Sequence, residues 1–130
     1  MNRPDKLNAC NLKMFREIDH ALSQVEDNDD VKVVVITGAG DKAFSAGVDF
    51  EELDFKDMKE SADYIRSDAR MFRRIESIPQ PVIAAVNGYA FGYGCKIAIV
   101  SDIAIASDRA QFGLQGIKVG AVHVITLGRG

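Results

Sequence analysis

Cysteine is scarce in this 130-residue chain: there are two, Cys10 and Cys95, too far apart for the paired spacing of a metal site. So few thiols fit a reducing compartment better than a disulfide scaffold, and a cytoplasmic protein is expected. The net charge is only −3, and the lysines and arginines are scattered, so nucleic acid is not an expected partner. No apolar run approaches the length that crosses a bilayer, and no charged-then-apolar leader opens the chain, so no membrane partner is expected either. Internal repeats and low-complexity linkers are also lacking. With 47% hydrophobic and 27% charged residues, what remains is the composition of one ordinary globular domain spanning 1–130.

The present features begin with a helix. Leu12, Phe15, Ile18, Leu22 and Val25 recur at three- and four-residue steps, predicting an amphipathic helix over Asn11 to Glu26, with Asn8 or Asn11 as its cap. Before it, Pro4 and Asp5 set a turn. Val31 to Thr37 is rich in β-branched residues and predicts a buried strand. A second helix is expected between Asp57 and Ile78, with Met58, Ala62, Ile65, Ala69, Phe72 and Ile75 on its apolar face. Arg66, Arg70, Arg73 and Arg74 read as its solvated face. Pro79 and Pro81 stop that helix, and Val82 to Val86 predicts a strand covered on both faces. Asn87 and Gly88 turn the chain, and Gly92-Tyr93-Gly94 leads into a helix carrying Ile97, Ala98 and Val100. Two short strands follow, around a turn at Asp108 and Arg109. The fold class is α/β.

Two glycine-bearing segments are candidates for chemistry. Gly38-Ala39-Gly40-Asp41-Lys42-Ala43 matches a dinucleotide fingerprint in form. That site needs a helix to open there, whereas Gly47 stands where the helix interior would be, and the nucleotide reading is weak. The other candidate is a pair of loops, Ser45 to Asp49 and Gly92 to Gly94. If the strands ending at Thr37 and Val86, which precede them, are parallel neighbours, both loops reach the same sheet edge, and the backbone N–H groups of Val48 and Tyr93 can converge on one oxygen. Taken singly, each set of glycines is accounted for by a tight turn.

Asn2 to Ala9 (N-R-P-D-K-L-N-A), Ala43 to Asp49 (A-F-S-A-G-V-D) and Pro81 to Ala90 (P-V-I-A-A-V-N-G-Y-A) closely resemble the crotonase family, the enoyl-CoA hydratases and isomerases. The G-Y-G-C-K, S-D-I-A-I-A-S and Phe112-Gly113 segments extend the likeness along nearly the whole chain. The resemblance implies a spiral of ββα units and an acyl-CoA thioester as substrate, with no cofactor and no metal. It implies that Val48 and Tyr93 form an oxyanion hole through their backbone N–H groups. Lys6, Ala9, Ala46, Asp49, Phe50, Phe91 and Gly94 would line the substrate path. A homo-oligomer, trimer or hexamer, is implied as well.

The sequence also departs from the family. Its two acid/base glutamates fall at Lys96 and Gly116, so neither carboxylate is present. Val124, near where some relatives place a later acid, is not acidic either. Tyr93 stands at the middle glycine of the family turn, keeping the N–H but adding a ring over the acyl pocket. Lys96 is a base only if burial lowers its pKa, and is otherwise a surface or ion-pairing residue. His123 has a suitable pKa for proton transfer, though a lone histidine in an apolar stretch is commonly structural. Relative to the family, the first strand and the C-terminal helices are missing, so the expected fold is truncated at both ends. Three functions remain open: an acyl-CoA enzyme with unusual proton-transfer residues, an acyl-CoA-binding homologue without hydratase activity, or a structural or assembly subunit whose pocket is vestigial.

Overall fold

The structure, a computed structural model, describes residues 1–114. Gly116, His123 and Val124 lie outside the described residues. Six strands and three helices alternate in chain order: α1 (Leu12–Glu26), β1 (Val34–Thr37), β2 (Ala43–Ser45), α2 (Met58–Ser77), β3 (Val82–Val86), β4 (Tyr89–Phe91), α3 (Tyr93–Val100), β5 (Ile103–Ala106) and β6 (Gln111–Gly113). Short 3-10 turns occupy Pro4–Lys6 and Phe50–Glu52. Odd-numbered strands form one parallel sheet in the order β1-β3-β5, and even-numbered strands form another, β2-β4-β6. Each repeat therefore lays one strand in each sheet before its helix. This is the expected spiral of ββα units.

Local chemistry sets the boundaries. Asn11 caps α1, its Oδ1 accepting from the Met14 amide at 2.9 Å, and Asp57 caps α2 in the same way through Glu60 at 2.8 Å. β1 is joined to β3 in register from Val34↔Val82 to Thr37↔Ala85. The Asn87 side chain ties the ends of these strands, donating from Nδ2 to the carbonyls of Gly38 and Gly40, each at 2.9 Å. Phe15, Leu22, Met71, Phe72, Ile75, Val82, Val86 and Ile97 fill the core between the helices and the sheets.

Four expectations need correction. The first predicted strand starts at Val34 rather than Val31, and only Ile36 on it is buried, Val35 and Thr37 being exposed. On β3 only Val82, Ala84 and Val86 are fully buried, while Ile83 and Ala85 are half-buried, so its two faces are not equally covered. The apolar face of α2 is turned from the predicted one. Met58 and Ile65 are exposed, and the buried stripe runs through Tyr64, Met71, Phe72 and Ile75, because Tyr64 and Met71 pack inward. Arg74 is not solvated surface. It lies between helices, its Nε donating to Asp19 Oδ1 at 2.6 Å and its Nη1 to Glu26.

The two predicted C-terminal strands exist as β5 and β6, but they do not pair with each other. They join different sheets, beside β3 and β4. Ile103 and Ile105 on β5 and Phe112 on β6 are exposed.

Candidate functional site

Three chain segments meet at one end of the β2-β4-β6 sheet. The first follows the 3-10 turn Pro4–Lys6, where Leu7 and Asn8 both take positive φ. Asn8 is fully buried and holds that shape: its Nδ2 donates to the carbonyls of Ala39 (2.9 Å) and Ala43 (2.8 Å), and its Oδ1 accepts from the Arg3 amide (2.9 Å). The second segment, residues 46–49, runs alongside. The Ala46 amide donates to the Leu7 carbonyl at 2.9 Å, Cys10 N–H to the Gly47 carbonyl at 2.6 Å, and Asp49 N–H to the Cys10 carbonyl at 2.9 Å. These bonds make Cys10 and Val48 an isolated parallel bridge. Asp49 is nearly buried and is neutralised by Arg3, Nη2 to Oδ2 at 2.8 Å.

The third segment, Phe91 to Gly94, presses against the second. Gly47 has φ +103°, and a methyl there would lie 3.0 Å from the Phe91 carbonyl oxygen. A methyl on Gly94 would lie 2.5 Å from the Ser45 carbonyl oxygen and 2.9 Å from the Ser45 Cβ. Backbone contact this close sets the segment that carries Val48 against the turn that carries Tyr93. Tyr93 opens α3 after Gly92, which offers no side-chain cap. The N–H groups of a first helical turn point out along the axis and carry its positive end.

The aromatic groups beside this turn form a packed cluster. The Tyr93 ring sits edge-on to Phe15 with centroids 5.3 Å apart, and tilted on Phe72 at 5.7 Å. Its hydroxyl donates to Asp68 Oδ2 at 2.7 Å. Burial, then the bond to Asp68, pushes the phenol well above its usual pKa, so it stays protonated. Tyr64 also sits edge-on to Phe15, at 5.2 Å, and against Phe55 at 5.4 Å. Its hydroxyl is buried without a hydrogen-bond partner among the described residues, and burial raises its pKa as well. Tyr64 and Phe55 line a cleft of about 620 Å³ between α1 and the segment 51–60, whose rim carries Glu52, Asp54 and His20.

Among the residues singled out from the sequence, Ala9, Ala46, Val48, Asp49, Phe91, Tyr93 and Gly94 belong to the three meeting segments. Lys6 lies on the exposed rim, its Nζ bonded to Glu51 Oε1 at 2.7 Å, a bond that raises its pKa. Phe50 is exposed. Lys96 is neither a plain surface residue nor ion-paired by any salt bridge among the described residues: its Nζ rests 3.9 Å from the centroid of the Phe72 ring. An ammonium on a π face is being used as a cation. Among the described residues no cluster of His, Cys, Asp or Glu is arranged to hold a metal ion. No helix among them is long and apolar enough to cross a membrane.

Sequence reasoning missed Asn8, Tyr64, Asp68 and Phe15 as parts of this region. Tyr64 and Asp68 are one helical turn apart and so share a face of α2, a signal readable only once that face is known to turn inward.

The family model for enoyl-CoA hydratase/isomerase matches residues 1–127. The short-chain-enoyl-CoA hydratase of Clostridium acetobutylicum is 42% identical over 120 residues, covering 92% of this chain and 46% of that protein. The crotonyl-CoA hydratase of Syntrophomonas wolfei is 39% identical over 120 residues, with the same shares. Among solved structures, an enoyl-CoA hydratase/carnithine racemase from Magnetospirillum magneticum superposes with a TM-score of 0.88 at 34% identity, covering 95% of this chain and 47% of the other. An enoyl-CoA hydratase from Bacillus anthracis gives 0.86 at 32% identity, covering 92% and 46%. The chain spans about half the length of the curated relatives it matches.

Proposed function

The chain belongs to the enoyl-CoA hydratase/isomerase family, and on that premise we propose that it binds an acyl-CoA thioester and stabilises an enolate at the thioester oxygen. The donors in this reading are the backbone N–H groups of Val48 and Tyr93. Charge moves onto the oxygen as the α-carbon loses its proton, so fixed donors aimed there lower the barrier more than they tighten ground-state binding. One observation carries the reading: the segment holding Val48 and the turn holding Tyr93 touch backbone to backbone, at Gly47–Phe91 and at Ser45–Gly94. Ala9, Ala46, Asp49, Phe91 and Gly94 line the thioester's path, with Lys6 at the rim for the CoA phosphates and Phe50 beside it. The reaction needs no cofactor.

A second reading is favoured by Lys96. With the ammonium seated on Phe72, this position supplies a cation where the family has an acid, and Gly116 supplies no carboxyl at all. The protein then binds acyl-CoA without hydrating it. His123 and Lys96 are the proton-transfer candidates that the sequence offers to the first reading.

Assembly into a trimer or hexamer is part of the proposal. Ile103, Ile105, Phe112 and Val35 are apolar and exposed, a kind of surface that association covers. Both cysteines are free and buried, in keeping with a reducing, cytoplasmic setting.

The test is crotonyl-CoA hydration measured beside thermal unfolding with acyl-CoA and with free CoA. A ligand that binds only the folded state raises the melting temperature. Hydration together with a thioester-dependent rise is expected from an enzyme. A rise without hydration selects the binding homologue, and no rise with any thioester removes the acyl-CoA reading.

A further inference from the structure

Asp68 belongs to none of the motifs that suggested the site, yet its carboxylate reaches the site's central residue. The Tyr93 hydroxyl donates to its Oδ2 at 2.7 Å. Tyr93 is the first residue of α3, and Cα–Cβ bonds in a helix tilt toward its N-terminus. Its ring packs on Phe15 and Phe72, and its phenol ties Asp68 of α2 to the first residue of α3. Four residues earlier on α2, Tyr64 presents a buried hydroxyl with no partner among the described residues. It is one of two such atoms among the described residues, Gln80 Oε1 being the other, and a buried polar atom left unmatched calls for a partner. Phe15, Phe55 and Phe72 wall these polar atoms, and Tyr64 borders the 620 Å³ cleft.

Three carboxylates close to the meeting segments are engaged. Asp49 is held by Arg3, Glu51 by Lys6, and Glu52 accepts from the Leu12 amide. Asp68 is held only through a neutral phenol among the bonds described, which orients a carboxylate without cancelling its charge.

We infer that Asp68 is the proton-transfer carboxylate of this site, oriented by the Tyr93 hydroxyl and acting on the α-carbon of a thioester held by the Val48 and Tyr93 amides. The inference rests on the acyl-CoA reading above. In the step, an Asp68 oxygen takes the α-proton and the C–H electron pair becomes the new C=C bond. The thioester C=O π pair moves onto oxygen, giving the enolate. Reversal returns a proton from Asp68 to the same carbon, so no oxidant, reductant or second substrate is consumed. The substrate class is an acyl-CoA with hydrogen on its α-carbon. Tyr93 acts twice, through its amide on the oxygen and through its hydroxyl as a positioning group.

In deuterium oxide the step appears as loss of the α-CH₂ proton signal of butyryl-CoA. The full chain is expected to exchange these protons. Asp68→Asn should slow exchange about 100-fold or more, the usual effect of losing a general base, while butyryl-CoA still raises the melting temperature. Asp68→Glu should recover part of the rate. Tyr93→Phe keeps the ring and the amide, and should lower the saturated rate with the half-saturating butyryl-CoA concentration unchanged. Exchange by Asp68→Asn at the original rate overturns the inference, as does an original chain that binds butyryl-CoA without exchanging it. If Asp68→Asn does not fold, an unchanged saturated rate in Tyr93→Phe overturns it instead. A chain whose melting temperature no thioester raises refutes the acyl-CoA reading and this inference with it; binding without exchange refutes this inference alone.

Discussion

Gly94→Ala is the smallest change that separates the two loops. The added methyl would sit 2.5 Å from the Ser45 carbonyl oxygen and 2.9 Å from the Ser45 Cβ. The first contact is to backbone of the buried strand β2, and no side-chain rotation relieves it. Either the start of α3 or the end of β2 must move. Overpacking of this kind costs about 1–3 kcal/mol, and at roughly 4 °C per kcal/mol for a domain of this size the melting temperature falls by about 4–12 °C. The displacement also re-aims the Tyr93 amide. Loss of one oxyanion donor costs about 3–4 kcal/mol of transition-state stabilisation, so activity should fall about 100-fold or more, well beyond what the stability loss alone gives. Thermal unfolding and thioester turnover measured on the same preparation separate the two effects. Ser45→Gly in the same chain removes the 2.9 Å contact but leaves the 2.5 Å one, so its rescue is partial at most. Gly94→Ala with unchanged melting temperature and unchanged activity refutes the close approach and the site built on it. Gly94→Pro is a harsher version, and should abolish thioester binding with β3 intact.

Further outcomes follow from single contacts. Lys96→Glu combined with Gly116→Glu restores two carboxylates where the family carries them and should raise crotonyl-CoA hydration about 100-fold; no gain counts against the alignment at those positions. Arg74→Ala leaves Asp19 and Glu26 without their shared cation and should cost about 1–2 kcal/mol by denaturant unfolding, less at high salt; no loss at low salt would show the pairs to be neutral. Cys10 is fully buried, and burial raises its thiol pKa to about 11 from an ordinary value of 9.0. The unfolded thiol ionises first as pH rises, so between about pH 9 and 11 the native state holds more protons and stability falls, by roughly 2 kcal/mol. Below pH 9 this contribution is fully present. Cys10→Ser should flatten that slope in stability measured against pH, and an unchanged slope assigns it to other groups.

Much of this architecture is legible from the residues. The cap at Asn11, the helix stop at Pro79 and the three motif segments all lie where chemistry demands them, because each depends on local backbone rules. β2 and β4 are not legible: three residues each is too short for a period-two pattern, and their pairing is set by contacts far apart in the chain. The face of α2 misleads for a related reason. Met58 and Ile65 continue the apolar spacing but overhang the body, whereas Tyr64 turns inward although its hydroxyl finds no partner there. Within the site, the glycines announce themselves because close backbone approach excludes every other residue. Asp68 does not, since a lone acid on a charged helix looks like solvated surface until Tyr93 is seen to reach it.

The central claim concerns the amide groups of Val48 and Tyr93, and nuclear magnetic resonance reads both directly. In a titration of the ¹⁵N-labelled chain with acetyl-CoA, the two amide proton signals should move downfield together, with one dissociation constant, and free CoA should leave them in place. Movement of only one signal, or equal movement with free CoA, contradicts a shared thioester oxygen.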